Sequence, residues 1–146
     1  MARVGYLVAL GVETGVRAVG LDLNFEVDSR LSEPALIAAL QRSGAEITEH
    51  YEGEVLAFYQ GSGLTVWGKG NDGRHEILSE QAMGATFEVA RRCVFRLNNS
   101  EYDTCIRDLE CFLNAVCNDS GAFFIVSFQL EETMYVNIGL GVQKCE

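Results

Sequence analysis

The clearest pattern in the chain is VGLDLNFEV, residues 19–27, in which apolar and polar side chains alternate strictly. A period of two is typical of a strand that buries one face and exposes the other. The exposed face predicted here carries Asp22, Asn24 and Glu26. We therefore expect a β-strand with an acidic, solvated face.

Two helices are predicted, one near each end of the chain. The first has Ser32 at an N-cap position and Pro34 in its first turn, and its apolar stripe ends at Gly44. The second begins with the sequence SEYD, residues 100–103, which is close to a capping box. Its apolar side chains recur at three- and four-residue spacing as far as Val116, as in an amphipathic helix.

The segments between the helices are predicted to be strands separated by turns. Residues 46–68 are interrupted at Glu52-Gly53 and again at Gly61-Ser62-Gly63. The sequence Asn71-Asp72-Gly73 predicts a hairpin turn, because these residues tolerate the positive φ that such turns require. Residues 87–97 alternate again and predict a further strand.

Three other segments complete the expected order of elements. Residues 124–140 alternate on both sides of a polar turn and predict a C-terminal hairpin. Residues 75–83 fit either a strand or a short helix. The apolar run at residues 4–12 is too short to span a bilayer and lacks the flanks of a signal peptide, so we interpret it as a buried strand.

This order favours an α+β fold, with an antiparallel or mixed sheet and two helices on one of its faces. The expected architecture is a ferredoxin-like βαββαβ core with an extra N-terminal strand and a C-terminal hairpin. No linker or change of composition divides the chain. Residues 1–146 are therefore predicted to form a single α+β domain.

The charge and the cysteine content of the chain limit its binding partners and its cellular compartment. With 11 basic and 21 acidic residues the net charge is −10, which argues against direct binding to nucleic acid or to an anionic membrane. The five cysteines are an odd number, and no export signal is recognised. We expect free thiols and a cytoplasmic location.

The acidic side chains form two groups that we expect to contact a partner protein with a basic surface. Opposite charges of this kind raise association rates. The first group lies on or just after the strand at residues 19–27. The second group surrounds the turn at Glu52-Gly53. The candidate residues are Asp22, Asn24, Glu26, Asp28, Glu46, Glu49, Glu52 and Glu54.

Two short motifs resemble known ligand loops. The sequence GKGNDG, residues 68–73, matches the G-x-G-x-x-G pattern, but no clear helix follows it, so a turn is the better interpretation. The oxygen-bearing residues between Asp22 and Glu33 have the spacing of a calcium loop, but Val27 stands where that loop requires glycine. We therefore predict no nucleotide or calcium site.

No other metal or cofactor site is predicted. Cys105, Cys111 and Cys117 are six residues apart on a helix, so they point in directions about 120° apart. The paired cysteines that zinc sites use do not occur. The basic side chains of Arg92 and Arg96 share one strand face, where we expect them to pair with neighbouring acids.

No catalytic residues are assigned. A thiol nucleophile needs a base beside it, and the candidates are Cys93 with His50 or His75. The glutamates around His50 could also support acid–base chemistry. Neither arrangement follows from the sequence, so an enzyme is the less favoured class.

Three functions follow in order of preference. The first is an acidic inhibitor that occludes its partner, as toxin-immunity proteins and phage-encoded anti-defence proteins do, and that could mask a nucleic-acid-binding surface. The second is a regulatory module that binds a small ligand and forms a homodimer through its sheet. The third is a small enzyme that uses His–carboxylate or Cys chemistry.

Overall fold

The structure is a computed structural model, and it describes residues 21–145. The strand predicted at residues 4–12 lies outside the described residues. Within these residues, two helices, α1 (Glu33–Arg42) and α2 (Tyr102–Ser120), accompany one β-sheet. The strands of that sheet are β1 (Leu21–Val27), β2 (Glu46–Tyr51), β3 (Glu54–Phe58), β4 (Thr65–Gly70), β5 (Arg91–Leu97), β6 (Phe124–Phe128), β7 (Glu132–Asn137) and β8 (Gln143–Lys144).

The eight strands lie in the order β2-β3-β4-β5-β1-β6-β7-β8, and every neighbouring pair is antiparallel. The predicted α+β class is confirmed. The sheet has more strands than the four of the ferredoxin-like core that the sequence predicts. Strand β1, which we expected to expose an acidic face, lies in the middle of the sheet between β5 and β6.

Both helices pack on the same face of the sheet, because their apolar stripes and alternate strand residues share one buried core. Phe25 of β1 is at its centre, with ring centroids 6.1 Å from Phe95, 5.3 Å from Phe112 and 5.5 Å from Phe124. These rings come from β1, β5, α2 and β6. The alternation at residues 19–27 therefore positions the core as predicted.

Helix α1 begins and ends as the sequence predicts. The Ser32 side chain accepts a hydrogen bond from the backbone N–H of Ala35 at 3.2 Å, and Pro34 lies in the first turn. Gly44 follows the helix with φ +108°, a conformation that glycine adopts without a steric penalty.

Helix α2 begins differently from the prediction. The proposed capping box is wrong, because the N-cap is Glu101, which makes no side-chain capping hydrogen bond, and the Ser100 hydroxyl instead donates to the Asn98 side chain at 3.0 Å. The Asn98 side chain also accepts from the backbone N–H of Ser100 at 3.2 Å and starts a 3₁₀ turn, Asn99–Glu101, which leads into α2. At the other end, Gly121 in the left-handed region donates its N–H to the carbonyl of Cys117.

Two of the predicted hairpins are confirmed. Glu52 and Gly53, both with positive φ, join β2 to β3. Gln129 and Leu130 adopt the same conformation between β6 and β7, so this turn begins two residues before the polar stretch Glu131-Glu132-Thr133 where the sequence predicts it. The N–H of Glu131 closes the turn on the carbonyl of Phe128 at 2.8 Å.

The third hairpin differs in its connection. Asn71-Asp72-Gly73 forms the predicted turn, with the N–H of Gly73 donated to the Asn71 side chain at 2.8 Å. However, the chain then follows an irregular course before β5 pairs with β4. A tight hairpin at this position, and a strand beginning at residue 87, are therefore wrong. We refer to residues 71–90 as the strap.

Candidate binding surface

The sheet face opposite the helices has two parts. The strap covers β1, β6 and β7, where Ala85 packs with Ile125 and Val136 in a second, small apolar cluster. Further along the sheet, the row formed by Leu56, Trp67 and Val94 is only partly buried. We call this row on β3, β4 and β5 the open face.

One buried carboxylate binds the strap to the centre of the sheet, in addition to the hydrogen bonds between Gln81 and Thr133 of β7. Glu26 is completely buried and accepts hydrogen bonds from the backbone N–H groups of Leu78 and Ser79, at 2.8 and 3.1 Å. It also accepts from the Ser79 hydroxyl at 2.7 Å and from Nε of Arg92 at 3.0 Å. The Ser79 hydroxyl lies 2.8 Å from that of Ser127 on β6. Several donors of this kind are what a buried charge requires.

Arg92 extends this attachment towards the beginning of the strap. Its terminal nitrogens donate to the backbone carbonyls of Arg74 at 2.9 Å and Glu76 at 2.6 Å. Four residues further along β5, Arg96 pairs with Asp22 at 2.8 and 3.0 Å. The predicted pairing of Arg92 and Arg96 with neighbouring acids is thus confirmed.

The four expected partner contacts near β1 have different surroundings. Glu26 is enclosed by the strap, so the prediction of a solvated side chain is wrong at this position. Asp22 is occupied by Arg96, and Asn24 is partly buried. Asp28 is buried and accepts from the backbone and the guanidinium of Arg30 in a local turn.

The other four expected contacts lie together on the β2–β3 hairpin. All of them are exposed: Glu46, Glu49, Glu52 and Glu54. Glu46, Glu49 and Glu52 form no ion pair with a residue between Leu21 and Cys145. We call these four residues the acidic hairpin. Beside them, the Tyr51 side chain is 73% exposed, which is unusual for an aromatic residue of this size.

The open face adjoins the acidic hairpin through the strand register. Glu49 lies opposite Leu56, Leu56 opposite Trp67, and Trp67 opposite Val94. Cross-strand neighbours share a sheet face, and adjacent strands are about 4.8 Å apart. A carboxylate and three apolar side chains therefore form one line across four strands.

Trp67 connects the open face to the acidic hairpin. Its indole N–H donates to Oε1 of Glu54 at 3.2 Å, and the Lys69 ammonium lies 5.0 Å from its ring centroid. Lys69 also pairs with Asp72 at 3.2 Å. Sequence reasoning missed Trp67, although its position in the segment 46–68 and its identity as the one tryptophan of the chain could have indicated it.

The candidate catalytic residues do not form a reactive group. Cys93 is buried in the core, and burial raises the pKa of its thiol from 9.0 to about 12. His50 and His75 are both exposed. His50 pairs with Glu33 of α1, and Nδ1 of His75 lies 3.2 Å from the Asn71 amide.

The cysteines of α2 lie in different environments, in agreement with their predicted directions. Cys105 is buried, Cys111 is exposed and Cys117 is partly buried. Among the described residues, no group of three or more His, Cys, Asp or Glu side chains could hold a metal ion. The G-x-G-x-x-G segment, residues 68–73, forms the end of β4 and the turn of the strap, and no helix follows it directly.

A shallow groove of about 530 Å³ lies between the two arms of the strap. Its lining includes the apolar side chains of Ile77 and Phe87 and the polar side chains of His75 and Glu88. A small-ligand function could use this groove or a second one of about 390 Å³, which residues 99–104 line at the start of α2.

Comparison of the chain with protein-family models, curated proteins and solved structures finds no match. Neither helix between Leu21 and Cys145 is long and apolar enough to cross a membrane.

Proposed function

We propose that the protein is a binding protein that occludes a basic surface of a partner protein through the acidic hairpin and the open face. The observation that carries this proposal is the partly exposed row of Leu56, Trp67 and Val94 beside four exposed carboxylates. Interface centres are rich in Trp and Tyr, which supply large apolar contact areas. Charged groups around such a centre steer association and select the partner.

The net charge of −10 supports a basic partner. A partner surface that normally binds nucleic acid is rich in Lys and Arg, and carboxylates arranged on a sheet can take the place of phosphates there. Occlusion of such a surface would inhibit the partner without chemistry. This is the mode of action of the immunity and anti-defence class.

Contact through the face of the sheet is favoured over contact through its edge. Strand β2 is an edge strand, but its register shifts between Ile47 and Glu49, and Thr48 bonds the carbonyl of Leu56. Bulges and charges on an edge strand oppose the addition of a further strand. The row of Leu56, Trp67 and Val94 carries no charge, and β3, β4 and β5 pair without a register shift.

The test is affinity capture by the tagged full-length chain from lysate of its source cells at moderate salt. It compares wild type with the variant E46Q/E49Q/E52Q/E54Q. The control, E80Q/E88Q/E131Q/E132Q, removes the same charge at exposed positions elsewhere. We expect a basic protein in near-equal amount with wild type and control, and loss of that protein with the acidic-hairpin variant. Equal capture by all three proteins would refute the proposed surface.

A homodimer formed through the open face is the second candidate, because the same apolar row could pair with its copy. In such a dimer two chains that each carry a net charge of −10 would approach each other, and like charges oppose this arrangement. Light scattering across a range of salt concentrations distinguishes the two cases. A dimer that Trp67→Ser abolishes would favour the regulatory module over the inhibitor.

For the fold, we infer that the ferredoxin-like relation holds for the central strands. The support is the order β4-β5-β1-β6, with α1 following β1 and α2 following β5 along the chain. The β2–β3 hairpin and strands β7 and β8 are then additions at the two edges.

A further inference from the structure

The surroundings of Trp67 define a place for a cation. The ring is partly exposed, and the Lys69 ammonium already lies 5.0 Å from its centroid. A cation at this distance is attracted by the electrons of the indole face. Beside the ring, Oε1 of Glu54 accepts the indole N–H, and Oε2 makes no hydrogen bond to a residue between Leu21 and Cys145.

A guanidinium suits this place better than an ammonium. Its planar group can stack on an indole while its N–H donors point outward in the plane to a carboxylate. An ammonium interacts as a point charge and cannot do both with the same geometry. Glu54 and, two strands from Trp67, Glu49 supply carboxylates on the same sheet face.

We propose that Trp67, Glu54 and Glu49 form a recognition site for an arginine side chain of the partner. The arginine stacks on the Trp67 ring, and Oε2 of Glu54 accepts from its guanidinium. This proposal rests on the proposed function and specifies the anchor residue of its basic partner.

Lys69 is the internal competitor for this site. Its side chain is 38% exposed and has a second partner in Asp72, at 3.2 Å, to which it can remain bound when it leaves the ring. Removal of Lys69 therefore frees the indole face and removes a like charge next to the incoming arginine. We expect Lys69→Met to strengthen arginine binding, an effect that a purely structural role of Trp67 would not produce.

The experiment titrates the full-length chain with a blocked tri-arginine peptide and, separately, with a blocked tri-lysine peptide of equal charge. The fluorescence of Trp67 reports binding directly, because the chain contains one tryptophan. We expect a saturable change that favours the arginine peptide by about threefold to tenfold. Glu54→Gln should remove most of that preference, Glu88→Gln should keep it, and Lys69→Met should increase the affinity about threefold.

Equal affinity for the two peptides, or an unchanged preference in Glu54→Gln, would overturn the arginine site. So would a loss of affinity in Lys69→Met with the fold intact by circular dichroism. Failure of the arginine site can be distinguished from failure of the proposed function. A partner captured by wild type and equally well by Trp67→Leu, which keeps an apolar side chain but no aromatic face, would leave the proposed function standing and remove the arginine site alone.

Discussion

Glu26 and Arg92 lie directly opposite each other on β1 and β5, with 3.0 Å between Oε2 and Nε. The carboxylate is completely buried, and the Arg92 side chain is 16% exposed. The strap closes over the pair and donates two backbone N–H groups to the same carboxylate. This ion pair therefore joins the sheet to the strap.

Glu26→Gln should lower the free energy of unfolding by about 3 kcal/mol, because it leaves Arg92 buried without its charged partner. Urea unfolding at neutral pH measures the change. Glu88→Gln, at an exposed position of the strap, is the matched control and should leave the midpoint nearly unchanged. A loss no larger than that of the control would show that the pair does not hold the strap.

The connection of Glu26 to the strap also shows why the candidate site was only partly predictable. The alternation at residues 19–27 correctly assigns Phe25 to the core and Glu26 to the opposite face. Whether that face is wet depends on Leu78 and Ser79, which are more than fifty positions away in sequence. Residues 75–83 fit either a strand or a short helix, and neither alternative indicates where this segment packs, so no local pattern carries this information.

The acidic hairpin was easier to predict because its exposure is local. The Glu52-Gly53 turn fixes β2 and β3 as a hairpin, and an edge strand exposes its charged side chains without help from distant residues. Trp67 was missed for the opposite reason. Its role depends on the register that brings Leu56 and Val94 beside it.

Gly68→Ala should destabilise the protein by about 1–3 kcal/mol, because its new methyl group would meet two side chains. A Cβ at this position would lie 3.0 Å from Sγ of Cys93 and 3.1 Å from Cδ2 of Leu36. Gly70→Ala in the same strand is the control, since nothing lies within 4 Å of its Cβ position. Urea unfolding measures both variants.

The double variant Gly68→Ala/Cys93→Ala tests the cause of that loss. Removal of the sulfur relieves one of the two contacts, so the double variant should lose at least about 0.5 kcal/mol less than the sum of the single variants. Strict additivity would show that Cys93 does not limit the space at Gly68.

Stability should decrease at alkaline pH in a way that depends on Cys93. The thiol ionises near pH 9.0 in the unfolded chain, but burial raises its pKa to about 12 in the folded protein. The unfolded state therefore releases a proton that the native state keeps, and stability is lost as pH rises from about 9 to about 12. Burial also raises the pKa values of Tyr59 and Tyr135, so part of the decrease will be shared with them.

Unfolding free energies of wild type and Cys93→Ala across this alkaline range check the assignment. The variant should have the shallower pH dependence, whatever its stability at neutral pH. Parallel curves for the two proteins would contradict the assignment of this pH dependence to Cys93.

The burial of Cys93 has a chemical test of its own. Iodoacetamide should modify the exposed Cys111 in the native protein and reach Cys93 only after unfolding, as read by mass spectrometry.

The acidic hairpin should govern the rate and the salt dependence of partner binding. Neutralising four exposed charges near an interface weakens steering, so the association rate constant should fall more than the dissociation rate constant rises. Stopped-flow or surface-plasmon-resonance measurements with the captured partner determine the association and dissociation rate constants separately. An effect confined to dissociation would place the glutamates in direct buried contact instead.

The most direct test of the proposed function is the dissociation constant of the captured partner for three proteins: wild type, E46Q/E49Q/E52Q/E54Q and the charge-matched control E80Q/E88Q/E131Q/E132Q. We predict that the acidic-hairpin variant binds at least about tenfold more weakly than wild type, with a shallower dependence on salt, and that the control binds within about threefold of wild type. Equal weakening in the two variants would show that only net charge matters and would contradict a binding surface formed by the acidic hairpin and the open face.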